Sequence, residues 1–264
     1  MAAPGPQNRW TVLLRALLLI PQFVVVWVLS VVAFLVTVVG WFGALVLGRL
    51  PGFAADYLTA FVPYETRVTA YLMLTVDRYP PFRFHAPDHP VQVGLRPGEL
   101  NRLAVLFRIV LVIPASIVQG LVSAGWWTVS FVIWLVVLVL GRMPQPLYEA
   151  TTAILRYRMR YAAYLVMLSS AYPKRLFGEE PGSEPDGPVS ATRPLVLGGA
   201  GRGLLVLFLL LGLASWATSS ITTSVNSDDD DNDDVTNPTQ HVVAPLVPGP
   251  AGRAEGSDRV DGRR

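Results

Sequence analysis

The sequence lacks cysteine altogether and contains a single lysine, Lys174. The absence of cysteine excludes disulfide bonds, thiolate metal ligands and cysteine nucleophiles. Charged residues are also scarce: they make up 15% of the 264 residues, against roughly 25% in an average soluble domain. Hydrophobic residues make up 52% of the chain. Much of the surface is therefore predicted to be solvated by lipid rather than by water.

Three long apolar runs account for this composition. Residues 10–47 contain one charged residue, Arg15, residues 109–140 contain none, and residues 203–221 form the third run. A helix needs roughly 20 residues to cross the hydrocarbon core of a bilayer. The first run is longer than the apolar region of a cleavable signal peptide, which has about 7–15 residues. We therefore predict an all-α integral membrane protein.

The strongest pattern in the chain is an internal repeat. RALLLIP at Arg15–Pro21 recurs as RIVLVIP at Arg108–Pro114, an offset of 93 residues (108 − 15). Chance matching of apolar residues does not explain the offset, because it also relates identical Trp, Gly, Arg, Tyr and Pro residues: Trp41 and Trp134, Gly48 and Gly141, Arg49 and Arg142, Pro51 and Pro144, Tyr64 and Tyr157, Arg67 and Arg160, Tyr71 and Tyr164, Tyr79 and Tyr172, Pro80 and Pro173. The chain is a duplicated unit.

Each unit is predicted to contain a long transmembrane helix, or a shallow hairpin, followed by an amphipathic helix. The apolar runs are followed by Gly48-Arg49-Leu50-Pro51 and Gly141-Arg142-Met143-Pro144. Such a sequence ends a helix, because glycine adopts the left-handed cap and proline prevents continuation. Beyond it, aromatic residues recur at three- and four-residue spacing beside arginines. This pattern favours an interfacial helix, with packing on the transmembrane helices as the alternative.

The repeat and the composition divide the chain into six segments. Membrane repeat 1 covers residues 9–83, a linker 84–101, and membrane repeat 2 residues 102–178. A polar linker follows at 179–202, and the third transmembrane helix is predicted at 203–223. Residues 224–264 begin with an aspartate run and continue with many prolines and glycines, a composition that predicts a disordered tail.

Particular motifs carry a resemblance to a known family. They are RALLLIP, Trp41-Phe42, Gly48-Arg49-Leu50-Pro51 and LTVDRYPPF at Leu74–Phe82. With them the chain resembles a bacterial membrane family, common in actinobacteria, that is described only as domain of unknown function DUF4389, here in two tandem copies over residues 9–178. The second copy departs from the pattern, because Ser170-Ala171 replace Asp77-Arg78. The resemblance implies no activity and no catalytic residue.

Arginines are the candidate functional residues, as tentative contacts to lipid or to another anion. They are Arg15, Arg108, Arg49, Arg142, Arg67 and Arg160. Arg15 and Arg108 are the most informative, since each lies in an apolar stretch six residues before a proline. They either bind a phosphate headgroup or an anionic ligand, or extend their side chains to the membrane boundary, and we favour the second interpretation.

No metal site or cofactor is predicted. His85 and His89 stand four residues apart, but two histidines at that spacing share one side only on a helix, and HAPDHP contains two prolines. The sequence also lacks the nucleophile, P-loop, metalloprotease and dinucleotide motifs of common enzymes. We therefore expect a protein that is not an enzyme.

Charge patterning predicts the topology only in part. Residues 1–202 carry 17 basic and 10 acidic residues, a net +7, and residues 203–264 carry 4 and 9, a net −5. Basic residues stay in the cytoplasm, so the N-terminus is predicted to be cytoplasmic and the tail extracytoplasmic in a bacterial plasma membrane. Single crossings of the first two runs would put the arginine-rich residues 49–108 outside. Parallel hairpins would keep them inside, but no turn signal divides the runs, so we favour single crossings.

Two functional hypotheses follow. The first is a non-enzymatic membrane scaffold that binds lipid or a partner. The second is a small-molecule or ion translocator whose repeats form a pseudosymmetric pair. The expected partners are membrane lipids, anionic lipids among them, and a second copy or another membrane protein. Nothing in the sequence indicates binding to nucleic acid.

Overall fold

The computed structural model describes residues 5–95, 98, 100–173, 176–177 and 197–232, with side chains up to Thr218. Its helices are α1 (Arg9–Leu47), α2 (Gly52–Leu72), α3 (Arg102–Leu140), α4 (Gln145–Leu165) and α5 (Gly199–Asn232). The described part of the chain contains no β-strand. Met1–Ser219 form one compact unit, and the packing described below lies within it.

The two long helices have the same ends in both repeats. The side-chain oxygens of Asn8 and Asn101 accept hydrogen bonds from backbone N–H groups in the first turn, each at 3.0 Å. At the other end, Gly48 and Gly141 adopt φ of 72° and 65°, and each donates its N–H to the carbonyl four residues earlier. The predicted helix ends are therefore confirmed, and glycine is needed at both because this backbone conformation disfavours a side chain.

Each of the first two apolar runs forms one continuous helix. Both α1 and α3 contain 39 residues, so neither is folded into a hairpin. Pro21 and Pro114 lie inside these helices without ending them. At 1.5 Å per residue each helix is about 58 Å long, whereas the hydrocarbon core is about 30 Å thick. Together with α5, these are the three described helices that are long and apolar enough to cross a membrane.

The shorter helices pack antiparallel on the long ones. The hydroxyl of Tyr57 in α2 donates to the carbonyl of Leu29 at 2.8 Å, and Arg15 near the start of α1 donates to the carbonyl of Tyr71 near the end of α2 at 2.7 Å. The second repeat places Arg108 on Tyr164 at the same distance. Both α2 and α4 therefore pack on the long helices, which is the alternative to purely interfacial placement.

Reciprocal contacts relate the two repeats. The indole N–H of Trp41 donates to the carbonyl of Val105 at 3.2 Å, and that of Trp134 donates to the carbonyl of Val12 at 2.9 Å. Both partners of the second contact are the repeat equivalents of the first, at the 93-residue offset. Such reciprocity is the property of a two-fold axis. Because the end of each long helix meets the start of the other, α1 and α3 run antiparallel.

The third apolar helix packs on α3 through two glycines. A Cβ atom on Gly125 would overlap the carbonyl of Phe208, and one on Gly212 would overlap the carbonyl of Leu121. The helix backbones therefore approach as closely as in small-residue contacts between transmembrane helices. The pairs 125–208 and 121–212 run in opposite directions, so α5 is antiparallel to α3.

The bounds of α5 differ from those predicted. The helix begins at Gly199, four residues before the apolar run, where Glu149 accepts a hydrogen bond from the N–H of Gly198 at 2.9 Å. It continues to Asn232, past the predicted tail boundary at residue 224. Hydropathy marks where apolar side chains stop, whereas a helix continues as long as its backbone hydrogen bonds do. Residues 179–196 of the polar linker and 233–264 of the tail lie outside the described residues.

Candidate functional site

Arg15 lies inside the protein and has a counter-charge. Its side chain is 3% exposed and stacks over the ring of Tyr71, with its guanidinium carbon 4.3 Å from the ring centre. One terminal nitrogen donates to the carbonyl of Tyr71, and the other pairs with Asp77 at 2.9 Å. A cation at the C-terminal end of α2 is favourable, because the last carbonyls of a helix have no intrahelical donor.

Arg108 has the same surroundings without the counter-charge. It is 4% exposed, lies 4.2 Å from the centre of the Tyr164 ring, and donates to the carbonyls of Tyr164 at 2.7 Å and Ser169 at 3.0 Å. The position of Asp77 is taken by Ser170, and no carboxylate of the described residues lies within 4.0 Å of Arg108. A buried charge without a partner is costly, so this position is suited to an anion from outside the chain.

The burial of Arg15 and Arg108 differs from the extended placement that the sequence favoured. Both side chains turn into the protein and bind its own carbonyls. Two other candidates, Arg49 and Arg142, directly follow the cap glycines and are exposed. For these two, contact with lipid stays a prediction.

The remaining candidate residues, Arg67 and Arg160, have different surroundings. Arg67 is 3% exposed and donates to the carbonyls of Arg83 at 2.9 Å and Phe84 at 2.6 Å. It therefore fixes the residues after repeat 1 against α2. Its repeat equivalent, Arg160, is half-buried on α4.

A cavity of about 670 Å³ lies between the two repeats. Four helices line it, mainly with apolar side chains, among them Ala33 and Trp41 from α1, Phe61 from α2, Val112 from α3, and Leu165 from α4. Its volume lies within the range of roughly 300–1,000 Å³ that is typical of small-molecule sites. The packing of the four helices therefore forms an apolar cavity of a size that can hold a small molecule.

The polar groups of this cavity are few and specific. Arg108 lines it, as do Glu65 and Arg158, which pair at 2.7 Å. Gln119 also lines it and is 9% exposed, and its carbonyl oxygen has no hydrogen-bond partner. The Nε of Arg108 likewise has none. The same Nε atom is unpartnered in Arg15, which has its counter-charge. Buried polar atoms in proteins normally have partners, so of these two the oxygen of Gln119 is the one that points to a ligand or to water.

The cavity lining contains a small residue where the second repeat has a large one. Trp126 takes the position of Ala33 in the second repeat. Its ring is 3% exposed, and its N–H donates to the hydroxyl of Thr151 at 3.3 Å. An indole occupies much more volume than the methyl group of an alanine, so the two units differ in the space that they leave at this position.

The family model described as domain of unknown function DUF4389 matches residues 9–83 and 102–176. The chain belongs to this family. Two tandem matches confirm both the duplication and the resemblance seen in the sequence. No curated protein and no solved structure matches the chain. Function must therefore be inferred from the residues of these two DUF4389 units.

The DUF4389 units differ at three positions that bear on the cavity or on the buried arginines. Glu65, Asp77 and Ala33 of the first unit correspond to Arg158, Ser170 and Trp126 of the second. The candidate residues predicted from the sequence are identical in both units. Glu65 and Ala33 are therefore not among them, and of these positions only the replacement of Asp77 by Ser170 was noted. The signal that would have found them is the set of non-identical pairs at the 93-residue offset, because an asymmetric site must be built from differences.

The two linker histidines of this DUF4389 protein have different surroundings. His89 is 3% exposed and lies beside the carbonyl of Arg78 at 3.4 Å, while its Nδ1 accepts from the N–H of Val91 at 3.2 Å. His85 is exposed. In the described part of the chain no three potential ligands cluster. Burial lowers the pKa of His89, and the nearby charges of Arg67 and Arg78 add to this shift.

Proposed function

We propose that this protein is a non-enzymatic membrane protein that binds a lipid in the cavity between its DUF4389 units. The observation that supports the proposal is the surface onto which the cavity opens. Phe34, Val38 and Ile109 line the cavity and are also 67%, 40% and 60% exposed. They belong to the long apolar faces of α1 and α3, which a bilayer would cover. A lipid could therefore enter sideways from the membrane.

The experiment uses the residue type that the second unit has at the equivalent position. Ala33→Trp introduces into the cavity the side chain that Trp126 provides on the other side. Leu35→Trp is the matched control, because Leu35 is 58% exposed and does not line the cavity. Lipids that stay with the purified full chain are identified and counted by mass spectrometry. We expect wild type and Leu35→Trp to retain a lipid and Ala33→Trp to lose it. Equal retention by all three would contradict the proposal.

A translocator is the second candidate, and the reciprocal contacts favour it. Antiparallel repeats related by an axis across α1 and α3 have the arrangement of inverted repeats in secondary transporters. However, the candidate membrane spans of the described residues, Arg9–Leu47, Arg102–Leu140 and Gly199–Thr218, contain no carboxylate. Liposomes with reconstituted protein would report on this candidate through uptake of a labelled lipid or ion. Uptake above that of empty liposomes would favour transport, and binding without uptake would favour a scaffold.

The proposed orientation places the start of α1 in the cytoplasm of a bacterial cell, in its plasma membrane. The N–H of Gln7 donates to the carbonyl of Gly141 at 2.8 Å, so the start of α1 and the end of α3 lie together. The N-terminal end of α5 lies near Glu149, close to the same end. Arg9, Arg142 and Arg202 lie at or near this end, in agreement with the positive-inside rule. A second copy or another membrane protein is the proposed protein partner of the exposed apolar faces.

A further inference from the structure

We infer that the ligand of the cavity is a single-chain amphiphile with a carboxylate head, that is, a long-chain fatty acid whose carboxylate pairs with Arg108. The inference rests on the proposed lipid binding and specifies which lipid binds and where its charge lies. It follows from three properties of the site: its charge, the access to that charge, and its length.

The charge of the site calls for one negative group. Three charged side chains line the cavity, two arginines and one glutamate, with a net charge of +1. Glu65 neutralises Arg158 at 2.7 Å, which leaves Arg108 as the charge without a partner among the described residues. The first unit shows which group these surroundings accept, because Arg15 pairs there with the carboxylate of Asp77 at 2.9 Å. A ligand carboxylate at Arg108 would therefore replace the missing aspartate.

Access to Arg108 favours a small head group. The side chain is only 4% exposed, and its guanidinium already donates to two carbonyls. Each terminal nitrogen donates to one carbonyl and carries a second N–H, and the planar fork of a guanidinium matches a carboxylate. A phospholipid would have to bring a phosphate and its substituents into this enclosed position. A carboxylate is planar and has no further substituent.

The shape of the cavity favours one acyl chain. Arg108 and Gln119 both line it and lie eleven residues apart on α3, which corresponds to about 16 Å along the helix. Apolar side chains line the cavity, with Ile109 and Val112 on the same helix and Phe34 and Val38 on α1. An elongated apolar cavity with a cation at one end is complementary in shape and charge to a fatty acid.

The test neutralises Arg108 without removing it. Arg108→Gln would also remove a helix cap, so its effect on binding could come from misfolding. Ser170→Asp instead supplies the aspartate that the first unit has at the equivalent position. His85→Asp is the control, since it adds the same charge at an exposed position of the linker. Thermal unfolding of each variant of the full chain verifies that it folds.

Binding of oleate and of oleyl alcohol to the delipidated full chain in detergent is then measured by calorimetry. We expect wild type and His85→Asp to bind oleate with similar affinity. Ser170→Asp should bind it at least about tenfold more weakly, because a charge-assisted hydrogen bond is lost. Oleyl alcohol, which lacks the charge, is expected to bind wild type at least about tenfold more weakly than oleate does.

Three results would overturn the inference. Equal oleate affinity of wild type and Ser170→Asp would show that the ligand carboxylate does not bind at Arg108. Equal affinity of wild type for oleate and oleyl alcohol would show the same. Phosphatidylglycerol that binds to wild type and is not displaced by oleate would show that the ligand is a phospholipid. In each case lipid loss from Ala33→Trp would still support the proposed function, so the two failures are distinguishable.

Discussion

Glu65 on α2 and Arg158 on α4 occupy the same position of the two repeats, 93 residues apart, and their side chains pair at 2.7 Å. A residue meets its own equivalent only at the axis that relates the repeats, so this ion pair marks the pseudo-two-fold axis. Identical charged residues would repel each other there. Opposite charges at this position of the two copies instead attract each other. The same ion pair also leaves this part of the cavity wall without net charge.

The ion pair at the axis is expected to depend on opposite charges rather than on which unit provides them. Glu65→Arg places two arginines together and should lower the melting temperature by about 2–4 °C, since a partly exposed pair contributes about 1 kcal/mol. The double variant Glu65→Arg with Arg158→Glu should restore most of this loss. Melting of the detergent-solubilised chain measures both. A double variant that is no more stable than Glu65→Arg would show that charge pairing is not the cause.

The packing of α5 is expected to tolerate no side chain at Gly125. Gly125→Ala puts a methyl group into the carbonyl of Phe208, and overpacking of this kind costs about 1–3 kcal/mol. Gly203→Ala is the matched control, because a Cβ atom there would meet nothing within 4 Å. Thermal unfolding of the two variants should separate them clearly. Similar melting temperatures would mean that the close α3–α5 contact is not formed.

The protein is expected to become less stable as the pH is lowered, because His89 must be protonated. Burial lowers the pKa of His89 below its usual value of 6.5, so the unfolded chain binds the proton more readily than the folded one. The contribution is complete above pH 6.5 and is lost as pH falls below it, with a slope of at most about 1.4 kcal/mol per pH unit. Melting between pH 7.5 and about 5 should show this slope. His89→Gln should flatten the profile, whereas His85→Gln should leave it unchanged.

Opposite sidedness of the two helix-end motifs is the fourth prediction. Because α1 and α3 are antiparallel, Arg49 and Arg142 lie at opposite ends of the pair. The chain has no cysteine, so Arg49→Cys and Arg142→Cys can be labelled one at a time in intact cells with a membrane-impermeant thiol reagent. Labelling of Arg49→Cys alone is expected if the N-terminus is cytoplasmic. Equal labelling of both would indicate that the helices do not cross in opposite directions.

Much of the architecture could be predicted from local patterns. The repeat, the helix ends at Gly48 and Gly141 and the continuous apolar helices follow from residues near each other in the chain, because capping and hydropathy are local properties. Helix α5 extends past residue 223, because hydropathy does not report where backbone hydrogen bonding stops. The surroundings of Arg15 were also not predictable. Its partners Tyr71 and Asp77 are more than 50 residues away, and burial by distant residues decides between extension to the membrane boundary and an internal cap.

The sequence by itself determined that this chain is a duplicated, three-segment membrane protein of the DUF4389 family, because repetition and long apolar runs can be read one residue after another. Only the tertiary structure decided that the two units face each other antiparallel, that Glu65 meets Arg158, and that Ala33 lines a cavity whereas Trp126 is buried beside Thr151. These facts depend on which side chains meet across the pseudo-two-fold axis. The packing of four helices brings together residues that are far apart in sequence, and the differences between the copies acquire meaning only there.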